Sequence, residues 1–318
     1  MTKWKGKVAS LSPCLALFMA SVSASAISLS FSIDDAHAGG CTPLGGPGTY
    51  ICTGPANAVT DTTQVLNSGV VPLNITTSND FGIDTSTNGG TGLDLSSLNS
   101  ITFTQSGTGG ITGDTYGIYA RNSGTGALSV TATGTITGIV SNGVDAGNNN
   151  AAGAGELTVS AAAVTGAIRG IFARNAGTGV TSVTATGTVT GTASNGVDAR
   201  NYNAAGAGDL TVSTAAVTGG TYGIYARNVG TGALSVTATG TVTGTGNNGV
   251  DARNYNAAGA GDLSVSTAAV TGAIKGIFAG NAGTGATSVT ATGTVTGIAS
   301  NGVDARNYNA AGAGELTV

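Results

Sequence analysis

Apolar and polar residues alternate along most of this chain in short bursts, each closed by Gly or Asn. Ile118 and Ala120 fall on one side of an extended segment and Tyr119 and Arg121 on the other; Leu128 and Val130 oppose Ser129 and Thr131 in the same way. A period of two predicts strands with one buried face. Three such stretches make a unit, at 117–120, 128–132 and 135–137 in one kind and at 196–199, 210–213 and 216–218 in the other.

The units recur. GI(Y/F)A begins at Gly117, Gly170, Gly223 and Gly276 and GVDA at Gly143, Gly196, Gly249 and Gly302, each series at intervals of 53 residues and offset from the other by 26 or 27. No unit can bury its apolar face alone. Stacked units can, because Ile118, Val144, Ile171, Val197, Ile224, Val250, Ile277 and Val303 then form one internal column beside a narrower one of Ala120, Ala146 and Ala173. This is the logic of a solenoid, in which each repeat packs only on its neighbours. The expected fold is all-β, a parallel β-solenoid of about eight rungs of 26–27 residues over 117–318.

Asn stands five residues after every leading Gly, at Asn122, Asn148, Asn175, Asn201, Asn228, Asn254, Asn281 and Asn307. Eight of eight at one offset predicts an internal ladder with amide-to-amide bonds along the axis.

Outside the tandem, 82–85 (GIDT) and 93–95 (LDL) keep the spacing of first and second strands, which predicts a divergent first rung over 82–116 with an insertion near 96–110. Residues 39–81, which hold four of the five prolines, read as a cap on the open end. The chain stops at Val318 inside a predicted strand, so a truncated C-terminus is expected.

The first residues change the picture from a fold to a compartment. Lys3, Lys5 and Lys7 precede a short apolar run, Leu15 to Val22, and small-x-small sites end at Ala26 and Ala38. That is an export signal over 1–38, too short in its apolar part to span a bilayer, with cleavage expected after Ala38 and Ala26 as the alternative. Its removal takes away Cys14 and His37, the only histidine, and leaves Cys41 and Cys52 in an oxidising compartment as a candidate disulfide. Without Lys3, Lys5, Lys7, Asp34 and Asp35 the chain keeps eight basic and thirteen acidic residues, the wrong sign for nucleic acid binding.

With 55 Gly and only 8% charged residues the composition is neither collagen-like nor that of a disordered chain. Nucleophilic chemistry of the Ser-His-Asp or Cys-His kind lacks its base once His37 is gone. No GxSxG elbow, phosphate loop or zinc spacing is present, so no cofactor, metal or catalytic residue is assigned. One GGTGLD segment at 89–94 starts like a calcium-binding nonapeptide but has no tandem copies, and the Thr array of 131–137 and its copies is interrupted by every second rung, which disfavours ice binding.

The strand face that should point outward carries Arg121, Arg174, Arg200, Arg227, Arg253 and Arg306 beside Tyr119, Phe172, Tyr225 and Phe278, alternating with Asp145, Asp198, Asp251 and Asp304. Ion pairs and cation–π contacts would offset the stacked like charges. Two readings stay open, a solvated self-neutralising face and a periodic strip for a glycan or host-matrix polymer. The Asp column is also the best argument for a polysaccharide-acting enzyme, but its members recur in near-identical surroundings, whereas catalysis needs a unique constellation; the expectation is a protein that is not an enzyme.

The long leader and the tandem pattern GI(Y/F)A-RN-xGTG-LSVTATGTVTG over 41–318 resemble the passenger repeats of bacterial autotransporters, the type V secreted proteins. The resemblance implies a right-handed parallel β-helix, exported to the cell surface, outer membrane or medium. It implies an adhesin or stalk function and an outer-membrane β-barrel in a C-terminal region that this chain does not contain.

Overall fold

The computed structural model describes residues 39–153, 155–206, 208–309 and 314–318. The segment expected to be an export signal, with both expected cleavage sites, lies outside them. Every regular element among the described residues is a strand, and no helix there is long and apolar enough to cross a membrane.

Among the described residues the strands form three sheets of ten, twelve and nine strands, one for each stretch of the repeat and parallel except at one edge of the twelve-stranded sheet. The first face holds strands such as Ile118–Asn122 and Val144–Asn148, the second Leu128–Ala132 and Leu157–Ala161, the third Ile136–Gly138 and Val164–Gly166. Register is kept residue by residue: Ile118 pairs with Val144 and Val144 with Ile171, Ala120 with Ala146, Asn122 with Asn148. The Ile/Val and Ala columns of the first face are fully buried from Ile118 through Ala279. They meet Leu128, Val130, Ile136 and their copies from the other two faces in one continuous apolar core. The parallel β-solenoid is thus the fold, as the periodicity predicts.

The first face has ten strands, from Gln64–Ser68 to Val303–Asn307, two more than the eight rungs expected. The added turns come from the segment read as cap and divergent rung, and there the strand assignment needs correction. Leu93–Ser97 pairs with Ile118–Asn122 on the first face, Ile101–Thr104 with Leu128–Ala132 on the second, and Ile111–Gly113 with Ile136–Gly138 on the third. Ile83–Asp84 pairs with Ile111 and Thr112 on the third face, so it ends the turn before and starts none. No insertion is needed. The Gly-Ile of 82–83 imitates the leading Gly-Ile of a rung, while the true first strand hides because larger residues fill the same inward slots: Leu95 pairs with Ala120 and Phe103 with Val130. Residues 64–77 are already in rungs; the element that lies beyond them is a hairpin, Gly40–Pro43 antiparallel to Thr49–Thr53. It adds the edge strand of the second face, and a Cys41–Cys52 disulfide joins its two arms.

The abundant Gly serves space more than conformation. Among the described residues positive φ occurs at five glycines, the last of them Gly90, and at none in the tandem. At Gly117, a corner before the first face, an added Cβ would lie 2.4 Å from the Ile136 side chain and 2.7 Å from the Gly143 carbonyl oxygen. The corner between faces is closed too tightly for any side chain.

Candidate functional site

The outer side of the first face is built on the same register. Asp145 pairs with Tyr119 and Phe172, Asp198 with Phe172 and Tyr225, and Asp251 with Tyr225 and Phe278, so each carboxylate lies between two aromatic rings. Despite pointing away from the core the carboxylates are not solvated: Asp198 and Asp251 are 0% exposed and Asp145 4%. The acids are withdrawn from solvent while the Arg side chains above them stay partly exposed, and the ion pairs of a self-neutralising face are present. Small inward columns keep the strands at sheet spacing, and the outward rings and guanidinium groups close over the acids between them.

Burial of a carboxylate demands a full set of partners. Arg200 donates from Nε to Asp198 Oδ1 at 2.5 Å and from Nη2 to Oδ2 at 2.7 Å. Asn195 Nδ2 at 2.9 Å and Arg169 Nε at 3.0 Å complete Oδ2. Arg253 forks onto Asp251 at 2.5 and 2.9 Å with Asn248 at 2.8 Å. Arg306 forks onto Asp304 at 2.6 and 2.8 Å, and Lys275 Nζ joins at 2.7 Å. Asp145 differs because Gly147 stands where the fork would start. Its Oδ1 makes ion pairs with Arg121 at 2.7 Å and Arg174 at 3.6 Å but accepts no hydrogen bond, and Asn142 donates to Oδ2 at 3.1 Å.

The forks shift protonation equilibria in the expected directions. Burial pulls the Arg200 guanidinium down, but the bonds and charge of Asp198 outweigh it and hold it above the ordinary arginine value. The bond to Asp251 does the same for Arg253. The Arg306 bonds hold the Asp304 carboxyl below the usual aspartate value against the opposing effect of burial.

The aromatic residues proposed from the sequence as ligand contacts are mostly taken. Arg121 covers Tyr119 with its Cζ 4.1 Å from the ring centre, Arg169 and Arg174 lie at 4.4 and 4.5 Å from Phe172, and Arg253 and Lys275 at 4.6 and 4.7 Å from Phe278. Tyr225 has Arg200 at 4.9 Å and the ring of Tyr222 at 5.2 Å.

More exposed rings lie two residues beyond the Arg positions, in residues the sequence reading passed over. Arg200 Nη1 donates to Tyr202 Oη at 3.0 Å and Arg253 Nη1 to Tyr255 Oη at 3.1 Å. Asp, Arg and Tyr at alternate positions thus form a relay that anchors the hydroxyls of Tyr202 and Tyr255. Tyr202, Tyr255 and Tyr308 are 40, 41 and 53% exposed. They recur every second rung, roughly 10 Å apart at sheet spacing.

The signal for these residues was the RNYN of successive GVDA rungs, 53 residues apart, and a second signal lies at twice the repeat length. The residue before the leading Gly is Tyr116, Arg169, Tyr222 and Lys275 in turn, so like recurs with like after 106 residues. Tyr goes with Tyr in the strand, giving the tilted ring pairs Tyr116–Tyr119 and Tyr222–Tyr225. A cation goes with Phe, giving Arg169 on Phe172 and Lys275 on Phe278.

The Asn column is in register and buried from Asn122 through Asn281, with Asn307 half-buried, but its bonds do not form the expected axial ladder. Each amide instead donates to a backbone carbonyl of its own rung: Asn122 to Gly126, Asn175 to Gly179, Asn228 to Gly232 and Asn281 to Gly285. In the GVDA rungs Asn148, Asn201, Asn254 and Asn307 reach further, to Gly155, Gly208, Gly261 and Gly314. The column is a set of brackets that close the loop between first and second faces. At two brackets the acceptor end is completed by Thr181 on Asn201 and Thr287 on Asn307. Leu128 and Leu234 occupy the matching places in the sister rungs, and there the buried Oδ1 atoms of Asn148 and Asn254 have no partner.

Among the described residues no group of three or more His, Cys, Asp or Glu is placed to hold a metal ion. No protein-family model matches the chain, and no curated protein or solved structure matches it.

Proposed function

We propose that the chain is the repetitive passenger part of an exported, surface-displayed protein of the autotransporter type, and that it acts without catalysis as a stalk and adhesive surface for an acidic glycan or matrix polymer. One observation carries this reading: the first face presents cations and partly exposed Tyr rings outward in register, while the matching carboxylates lie beneath them. Arg306 is 51% exposed against 7% for Asp304, and Arg253 35% against 0% for Asp251. A chain with an overall charge of −4 therefore turns a positive, ring-bearing strip to solvent. Such a strip suits a polymer with repeated acidic and apolar faces, each contact weak and the sum tight. The polysaccharide-acting alternative gains nothing from the Asp column, since acids forked by Arg and buried offer no free edge to a glycosidic bond.

The test is retention of the purified chain on immobilised polygalacturonate against an uncharged polysaccharide. Tyr202, Tyr255 and Tyr308 changed together to Ala should abolish most of the retention without altering the far-ultraviolet spectrum or melting. Retention of the parent should also fall with salt, over a screening length of about 8 Å at physiological ionic strength. Equal retention of parent and triple variant would refute the adhesive strip.

A further inference from the structure

Two gaps separate the three exposed tyrosines, and they differ. Between Tyr202 and Tyr255 the chain supplies its own occupant: Arg227 lies over the Tyr255 ring with Cζ 4.5 Å from its centre, beside Val229. Between Tyr255 and Tyr308 the same two positions are Gly280 and Ala282, and a notch of about 150 Å³ opens there. Its walls are Tyr255 and Tyr308, and Arg253, Asn254, Phe278, Gly280 and Ala282 complete its lining. Arg227 in the sister gap shows how a flat group seats on this Tyr column.

The charge around the notch selects among flat groups. Arg253, Lys275 and Arg306 face two carboxylates, Asp251 and Asp304, which are buried beneath them. The surplus is one cation, and the cations form the outer layer. A second guanidinium would be repelled, whereas a ring with an acidic substituent would satisfy the stacking walls and the surplus charge together.

We infer that the Gly280 notch is a subsite for one carboxylate-bearing sugar ring of an acidic polysaccharide, seated between Tyr255 and Tyr308 with its carboxylate toward the Arg253 and Arg306 edges. This rests on the adhesive reading above and adds to it a place and a ligand class. The notch makes binding on this face uneven: one site of higher affinity on a strip of weaker ones.

The experiment is titration of the chain with trigalacturonate, followed by calorimetry or by Tyr fluorescence, against its methyl ester, which keeps the shape and loses the charge. Gly280→Arg fills the notch as Arg227 fills its sister; an added Cβ there meets ring atoms of Tyr308 at 3.0 Å and Phe278 at 3.2 Å, which can shift. Tyr308→Ala removes one wall and adds nothing. Both variants should weaken trigalacturonate binding roughly tenfold or more, with unchanged melting, while Tyr202→Ala leaves it as in the parent. The methyl ester should bind as weakly as the variants do. Binding by Gly280→Arg and Tyr308→Ala equal to the parent's would overturn the subsite. So would equal binding of the ester, or tighter binding of an arginine-rich peptide. If the subsite fails while the triple Tyr variant still loses retention on the polymer, the strip stands and only the notch is wrong. If both fail, the adhesive reading falls with it.

Discussion

The first and second faces of this solenoid share one inward pattern and differ in what they turn outward. On the second face, Leu128, Val130 and Ala132 point in while Ser129 and Thr131 lie half-buried on the surface, and the same holds in register for Leu157 to Ala161 and Thr181 to Ala185. Its outer residues are short and uncharged. On the first face the outward positions hold Asp, Arg and aromatic residues that cover one another so completely that Asp198 and Asp251 are as inaccessible as the core. The comparison shows that a parallel sheet with small inward side chains can carry a second buried layer, polar and ionic, on its solvent side. In this layer Asp198 and Asp251 each receive an Arg fork, an Asn and neighbouring rings together, while Asp304 has a fork with Lys275 and Asp145 has Asn142 with two ion-paired Arg residues. The Arg residues of the layer therefore cannot be removed as if they were loose surface charges.

The sharpest break in the comparison is to remove the partners of one buried acid. Arg169→Ala with Arg200→Ala leaves Asp198 with Asn195 alone, and loss of the partners of a buried charge is worth about 3–5 kcal/mol. Urea unfolding should show a marked loss, centred on the rungs around Asp198 because repeats couple mainly to neighbours. An unchanged midpoint would mean that water enters the layer and the acid is not sealed.

A smaller effect separates the two kinds of Asn bracket. Asn201→Leu strands the Thr181 hydroxyl and the Gly208 carbonyl and should destabilise by about 1–3 kcal/mol. Asn254→Leu removes a side chain whose Oδ1 already has no partner, so its loss should be the smaller of the two in parallel melts. The reverse order would show that the Thr contact contributes nothing.

Acid should reach the first face through Asp304. Its carboxyl is held below the ordinary value of 3.8 by the Arg306 bonds. Its contribution is therefore complete above that value and is lost as pH falls through the lower folded one. Hydrogen exchange of the Val303–Asn307 strand should accelerate over that acidic window, and Asp304→Asn should remove the pH dependence while leaving neutral-pH exchange faster than the parent's. The smallest effect belongs to the second face. Ser182→Ala and Thr184→Ala, half-buried and outward, should each stay within about 0.5 kcal/mol of the parent, by the same urea assay that registers the Arg pair.

The strand, the stacking and the register were all legible in period-two alternation and exact spacing, because one-residue slips would have moved Ile118 and its copies to solvent. The Cys41–Cys52 pair could be named as a candidate from the expected export signal and the cysteine count, and the hairpin places the two residues opposite each other. The early rungs escaped notice because Leu95 and Phe103 occupy columns that hold Ala and Val elsewhere. Periodicity of identity fails there although periodicity of polarity persists.

What the sequence determined by itself was which residues lie on which face and at which level, since repetition and alternation act through backbone spacing alone. Which partner each polar side chain chose was decided only in three dimensions. Asn brackets its own loop rather than its neighbour's amide because the backbone carbonyls of that loop come within its reach. The Asp column is sealed rather than solvated because Arg, Asn and rings converge on it from three rungs. Tyr202 and Tyr255 keep part of their rings in solvent while the Arg between Asp and Tyr holds the hydroxyl and closes over the acid. One substitution, Gly280 in the Arg column, changes nothing in the alternation, yet it opens the notch that the packed layer closes elsewhere.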